Sequence, residues 1–257
     1  MSSKNILITG ATDGIGLETA RKLKSLGHKI IVHGRNAEKL QKVAEELDAD
    51  SFKADFANLS EVRAMGEAIL DKYESLDVLI NNAGVFKTSN PRTKDGFDVR
   101  YVVNTFAPYL LTKMLIPLLS GGRVVNLSSA AQASVDFEAL LGKIEMSDFE
   151  AYAQSKLAIT MWSRHLANEL KGDGPVIIAV NPASLLGTKM VKEGFNTSGN
   201  DISIGVNILT SLSLDEEHAK HSGEYYDNDS KKYSQPSADG ADDEKSQKIV
   251  KLIEEII

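Results

Sequence analysis

The sequence predicts a doubly wound α/β sandwich, a parallel sheet of about seven strands between two layers of helices. Three observations point to it. Short, nearly continuous apolar runs rich in β-branched residues alternate with longer stretches whose apolar residues recur at helical spacing, as strands buried on both faces require. No Pro-, Gly- or Ser-rich linker interrupts the chain before about residue 185, so the alternation belongs to one unit. The first apolar run leads into TGATDGIG, three glycines in eight residues, just before a helix opens.

In chain order, NILI is the first strand and IGLETARKLKSLG the first helix. KIIVH (29–33) follows as a strand and AEKLQKVAEEL as a helix, then DSFKAD (50–55), a weaker strand, and LSEVRAMGEAILDKY, a helix. LDVLI (76–80) is the next strand, DGFDVRYVVNTFAPYLLTKMLIPLL a long helical stretch, GRVVNLS (122–128) a strand, FEAYAQSKLAITMWSRHLANELK a helix and VIIAV (176–180) a strand. Beyond Pro182 the pattern loosens. SGEYYDND reads as a last strand and turn, SKKYSQPSADGADDEKSQ as an exposed loop, and SQKIVKLIEEII as a helix that packs its apolar face on the body. The expected organisation is one domain over residues 1–257, with a substrate loop at about 185–203 and a C-terminal extension at about 228–257.

Composition narrows the function classes. A formal charge of −7 leaves no basic stripe for a nucleic acid. With no cysteine, disulfides and thiolate metal sites are excluded and an intracellular place is expected. The five histidines are scattered without carboxylates at metal spacing, so no metal is expected. The opening apolar run is too short for a signal-peptide core, and YLLTKMLIPLL is broken by Thr112, Lys113 and Pro117, so a cytoplasmic protein without a membrane span is expected.

Glycines between a strand and a helix have a physical use. The first-turn amides of a helix lack intrahelical partners and the helix dipole makes that end positive, while glycine lets a pyrophosphate approach the backbone. Gly10, Gly14 and Gly16 give G-x-x-x-G-x-G. In such folds an acid about twenty residues on selects NAD through the ribose 2′-hydroxyl. The second strand here ends in IIVHGRNAEKL, with Arg35 and no acid, flanked by His33 and Asn36. A guanidinium there matches a 2′-phosphate, so NADP(H) is preferred, with NAD(H) left open because position 13 holds Asp and not a second cation.

YAQSK (152–156) is the second chemical signal. Residues four apart share a helix face, so the Tyr152 hydroxyl and Lys156 ammonium can meet one pocket. An ammonium and a cationic nicotinamide ring would stabilise the phenolate of a group that ordinarily titrates near 10. NLSSAAQ places Ser128 and Ser129 at the carboxyl end of a strand, NNAG (81–84) ends another in the same way, and Asn104 lies in a helical run where a buried amide needs partners.

Together these elements resemble the short-chain dehydrogenase/reductase family: TGATDGIG, NNAG, Asn104, the serine pair, YAQSK and VNPASLLGT stand in that family's order and span nearly the whole chain. Length and glycine spacing are similar to its single-domain subgroup, and the long segment between Ser129 and Tyr152, with SKLA and SGEYY, to the retinol-dehydrogenase and WW-domain-oxidoreductase branch. The resemblance implies a Rossmann-like fold and an oxidoreductase that moves a hydride between NADP(H) and a carbonyl or alcohol, some relatives taking lipophilic substrates. It implies that Tyr152 is the general acid or base, that Lys156 lowers its pKa and holds the nicotinamide ribose, that Asn104 keeps a water in the proton relay, and that Ser129 polarises the substrate oxygen while Ser128 is structural. Around the cofactor it places Gly10, Thr12, Asp13, Gly14, Ile15 and Gly16 in the glycine turn, Arg35 with Asn36 beside it after the second strand, Asp55 as the adenine contact with Phe56 next to it, and Asn82, Ala83 and Gly84 on the adenosine side. Pro182, Leu185 and Thr188 would line the nicotinamide.

Two departures stand out. Pro182-Ala183 replaces the family's Pro-Gly, so a positive φ there would strain the alanine by about 1 kcal/mol. The segment before Tyr152 carries Phe137, Leu140, Leu141, Met146 and Phe149, an apolar lip or simple packing. Trp162 reads as helix-face packing or a subunit contact, and the family's pairing through the Tyr152 helix leaves a homo-oligomer open. A non-catalytic, nucleotide-sensing protein on the same fold is the rival reading, weakened by the intact Ser/Tyr/Lys/Asn set.

Overall fold

The computed structural model describes residues 2–257, apart from the side chains of Phe195 and Ala238. Strands β1 (Asn5–Ile8), β2 (Lys29–Gly34), β3 (Asp50–Lys53), β4 (Val78–Asn81), β5 (Arg123–Leu127), β6 (Val176–Asn181) and β7 (Tyr225–Asp227) run parallel, and β8 (Lys232–Ser234) closes the edge antiparallel to β7. Their order is β3-β2-β1-β4-β5-β6-β7-β8. Direction reverses between β1 and β4, the place where an open α/β sheet forms a ligand crevice beyond its carboxyl ends.

Period-two alternation sorts the strand residues onto two faces. Leu7, Ile31, Leu79, Val124 and Ile177 bury against α3 (Leu59–Lys72), α5 (Ala107–Leu115), α7 (Asp148–Glu169) and α10 (Asp243–Ile256). Ile6, Ile8, Ile30, Val32, Ile80 and Ile178 bury against α1 (Gly14–Ser25), α2 (Ala37–Leu47) and α9 (Ser203–Leu214). The helices start where side chains satisfy orphan amides: Asp13 caps α1, Asn36 caps α2, Asn58 caps α3, and Ser147 with Glu150 forms a capping box on α7.

The structure refines the sequence reading at several elements, and the stretch after Pro182 holds two helices, Lys189–Phe195 and Ser203–Leu214. The polar stretch after residue 230 contains β8, whose Tyr233 pairs with Tyr226 and stacks on His221, so it is an edge hairpin and not a loop. The long helical stretch begins only at α4 (Val99–Tyr101) and passes through a π-helical turn, Val102–Phe106, before α5. Within the segment before Tyr152, α6 (Phe137–Leu140) buries Leu140, while Phe137 and Met146 pack on the core; Phe149 remains 51% exposed. Trp162 is fully buried, edge-on to Tyr109 at 5.4 Å. α10 covers that face, tied down by Tyr109–Glu254 (2.6 Å) and Arg164–Asp243 (3.0 Å). Among the described residues no helix is long and apolar enough to cross a membrane.

Candidate active site

The turn after β1 needs glycine at positions 10 and 16, where no side chain fits. Gly10 has φ +65°, and a Cβ on it would stand 2.8 Å from Ala83 Cα. A Cβ on Gly16 would stand 2.3 Å from Asn82 Nδ2. That amide donates to Thr9 O (2.9 Å) and Gly10 O (3.0 Å), while the Thr9 hydroxyl accepts from Asn82 N and Ala83 N, each at 3.0 Å. The turn after β4 is thus bolted to the turn after β1, leaving the α1 N-terminus facing the crevice.

His33, noted in the sequence only as a neighbour of Arg35, is the other bolt. Its Nδ1 accepts from Gly10 N (3.1 Å), so its Nε2 carries the proton and donates to Ala54 O (3.0 Å). Phe56 stacks on the ring at 4.2 Å. Burial pushes the imidazole pKa down to about 4, so the ring is neutral at physiological pH. Phe56 is therefore buried by this stack, while Asp55 caps its own loop by accepting from Ala57 N (3.0 Å).

Arg35 is exposed at the end of β2 and has no ion pair among the described residues. Asn36 spends its Oδ1 on Lys39 N (2.9 Å). Asp13 accepts from Gly14 N (2.8 Å) and lies 3.8 Å from the Lys39 ammonium. Lys39, in the first turn of α2, is thus paired with Asp13. Across the cleft, Thr188 caps α8 (Lys189–Phe195) and would touch a Cβ on Gly14 at 3.6 Å, so it faces the glycine turn.

The second cluster gathers where β4, β5 and α7 meet. Lys156 is only 4% exposed and donates to Leu127 O at 2.7 Å. Its Nζ lies 5.7 Å from the Tyr152 ring centre, and burial pulls its pKa down to about 8. The nearby Ser129 hydroxyl favours the Tyr152 phenolate, yet burial outweighs this and holds the phenol above its usual range. The protonated phenol is consequently the resting form. Ser128, one residue earlier, is buried; its hydroxyl donates to Lys156 O (2.7 Å) and accepts from Thr160 Oγ1 (2.8 Å). Two adjacent serines therefore point to different tasks.

Asn104 sits in the π-helical turn, which widens the helix and brings its amide to the β4 loop. Its Oδ1 accepts from Val85 N (2.8 Å), and its Nδ2 donates to Val85 O (3.0 Å) and Ser155 Oγ (2.9 Å). The side chain thus clamps the loop after Gly84 to α7. A Cβ on Gly84 would meet Asn104 Oδ1 at 3.3 Å and Lys156 Nζ at 3.6 Å, so this glycine lies against both groups. Phe86 packs edge-on to Tyr152 at 5.0 Å, and a Cβ on Gly194 of α8 would stand 2.6 Å from that ring.

After β6 the backbone is strained. Ala183 has φ +130° and Leu185 φ +52°, conformations that cost of order 1–3 kcal/mol each without glycine. Pro182 is buried and Leu185 is 43% exposed.

A dinucleotide fits these residues. Gly10 and Gly16 let the turns after β1 and β4 pack with no Cβ between them, the helix N-terminus faces the crevice, and a guanidinium without an ion pair among the described residues follows β2. A Tyr–Lys pair and a serine converge at its far end. This defines a nucleotide-dependent α/β protein with a proton-transfer site. The family profile described as short chain dehydrogenase matches residues 4–199, and the chain belongs to that family.

Relatives carry the likeness further. The chain is 31% identical to human retinol dehydrogenase 13 over 92% of its own length and 80% of that protein's. It is 36% identical to bovine retinol dehydrogenase 12 over 75% of its own length, spanning 64% of the bovine chain. A short chain dehydrogenase from Shigella flexneri solved in complex with NADP superposes with a TM-score of 0.71 at 25% identity, covering 89% of this chain and 98% of that one.

Proposed function

We propose that the chain is an NADP(H)-dependent oxidoreductase acting on a small lipophilic carbonyl or the corresponding alcohol. The observation that carries this is the buried Lys156 ammonium 5.7 Å from the Tyr152 ring centre, with the Ser129 hydroxyl near the phenol, at the far end of the dinucleotide crevice. Burying an ammonium with one carbonyl partner is costly, and such cost is characteristic of sites that use the charge.

When bound, the dinucleotide supplies or accepts a hydride at its nicotinamide. The chain's own residues handle the proton. In reduction, the Tyr152 hydroxyl donates it to the oxygen that becomes the alcohol, and Ser129 Oγ donates a hydrogen bond to that oxygen as charge develops. Lys156, held by Leu127 O, stabilises the phenolate left behind, and in alcohol oxidation that phenolate is the base. Asn104 fixes the Val85 loop and so the floor of the pocket.

NADP(H) is supported by the exposed Arg35 guanidinium, which has no ion pair among the described residues, and by the NADP complex of the Shigella relative. A lipophilic substrate is supported by the retinol dehydrogenase relatives and by Phe149, three residues before Tyr152 on α7 and exposed on the face it shares with Tyr152. A panel of short and long apolar aldehydes with NADPH or NADH, followed by nicotinamide absorbance, tests the reading. Turnover with NADPH that favours apolar aldehydes is expected; binding of NADPH without turnover of any carbonyl or alcohol would favour a nucleotide sensor instead.

A further inference from the structure

The β7–β8 hairpin lies beyond the part of the chain that the family profile matches, yet it reaches both walls of the cleft. Tyr225 OH donates to Ser129 O at 3.0 Å, beneath the serine. At its other end the hairpin turn grips the strained segment after β6. Asp229 Oδ1 accepts from Ser184 N (2.9 Å), and its Oδ2 accepts from Ser184 Oγ (2.5 Å) and Asn181 Nδ2 (2.9 Å). Asn228 Nδ2 donates to Pro182 O at 2.8 Å. Asn200 completes the enclosure, its Nδ2 donating to Ser184 O (3.0 Å) and its N–H to Leu185 O (2.6 Å).

We infer that Asp229 is a positioning residue, whose carboxylate holds the Pro182–Leu185 turn in the strained shape that forms the nicotinamide side of the cleft. This rests on the dinucleotide reading of the site. A turn with Ala183 and Leu185 both at positive φ persists only where its surroundings over-determine it. Ser184 lies between those two residues, and Asp229 holds both its N–H and its hydroxyl. The same carboxylate reaches Asn181, the last residue of β6, which also donates to Asp227 Oδ1 at 2.8 Å. The hairpin thus braces the turn against the sheet. The turn adjoins the serine wall, because Ser128 N donates to Val180 O of β6 at 2.8 Å. Releasing Asp229 lets Ala183 relax toward negative φ and moves the backbone that faces the nicotinamide, while the Gly10–Gly16 end is held independently by Asn82 and His33.

The test uses the full chain and Asp229→Ala, with Asp229→Asn as the conservative variant. Amide hydrogen exchange of the unliganded protein reads the clamp directly. In Asp229→Ala, exchange over 182–188 accelerates by about tenfold while the 9–16 turn is unchanged; Asp229→Asn, which keeps an acceptor for Ser184 N–H, falls between. Binding reads the consequence. The Kd for NADPH rises by about tenfold or more, whereas that for 2′,5′-ADP, which lacks the nicotinamide half, stays within about twofold. Ala183→Gly, which relieves the larger of the two strained φ values, restores part of the NADPH affinity in the Asp229→Ala background. Unchanged exchange over 182–188 overturns the inference, as do equal losses for NADPH and 2′,5′-ADP, or a double variant as weak as Asp229→Ala. Failure of the wild-type protein to bind NADPH would sink the dinucleotide reading alone, since the exchange data judge the clamp without cofactor.

Discussion

His33 ties the glycine turn to the loop after β3 only while its ring is neutral, because Nδ1 must accept from Gly10 N. Its pKa is about 4 in the folded protein and near 6.5 in the unfolded chain, so between those values the unfolded chain binds more protons. The contribution is intact above about pH 6.5, declines as pH falls, and is fully lost below about pH 4. For a group shifted from 6.5 to 4, linkage gives roughly 2 kcal/mol of lost stability between pH 7 and pH 5. Other groups also titrate in this range, so the informative quantity is a difference. His33→Asn keeps a side-chain oxygen near the Nδ1 position and cannot titrate. Urea unfolding of both proteins at pH 7, 6 and 5 should show wild type losing roughly 2 kcal/mol more than the variant. Parallel pH profiles, agreeing within about 0.5 kcal/mol, would refute the neutral-histidine argument.

Three further outcomes follow from the same geometry. Arg35→Asp should weaken NADPH by about 10–100-fold in titration and leave NADH unchanged or improved, since a charge-assisted phosphate contact contributes roughly 1.5–3 kcal/mol; equal losses for both cofactors would remove Arg35 from that role. Gly16→Ala puts a methyl 2.3 Å from Asn82 Nδ2 and should displace that amide, so NADPH affinity falls by about a hundredfold in calorimetry. Ala183→Gly relieves the +130° φ but adds unfolded-chain entropy, for a net gain of about 1 kcal/mol and about 2 °C in Tm.

What the sequence revealed depended on the range of the interactions involved. Buried parallel strands must be apolar on both faces, so NILI, GRVVNLS and VIIAV announced the sheet, and an i,i+4 helix face made the Tyr152–Lys156 pairing visible. The strain at Ala183 was likewise legible, because alanine stood in a turn that suits glycine. β8 was hidden because an edge strand of three polar and aromatic residues carries no period-two signal, and its partners lie in β7. The π-helical turn at Asn104 was hidden because its cause is contact with Val85 and Ser155, remote in the chain. His33 looked like a bystander for the same reason: both its partners are backbone atoms about twenty residues away. The Tyr152 phenol moves up and not down because burial exceeds what the nearby Ser129 hydroxyl returns.

The central claim is that Tyr152 carries the proton in a cleft that binds the dinucleotide without it. Single-turnover oxidation of NADPH by an apolar aldehyde, measured for wild type and Tyr152→Phe at matched cofactor saturation, tests it most directly. The account predicts NADPH affinity within about threefold of wild type and a chemical step slower by about three orders of magnitude or more. A variant that oxidises NADPH at near wild-type rate would contradict it.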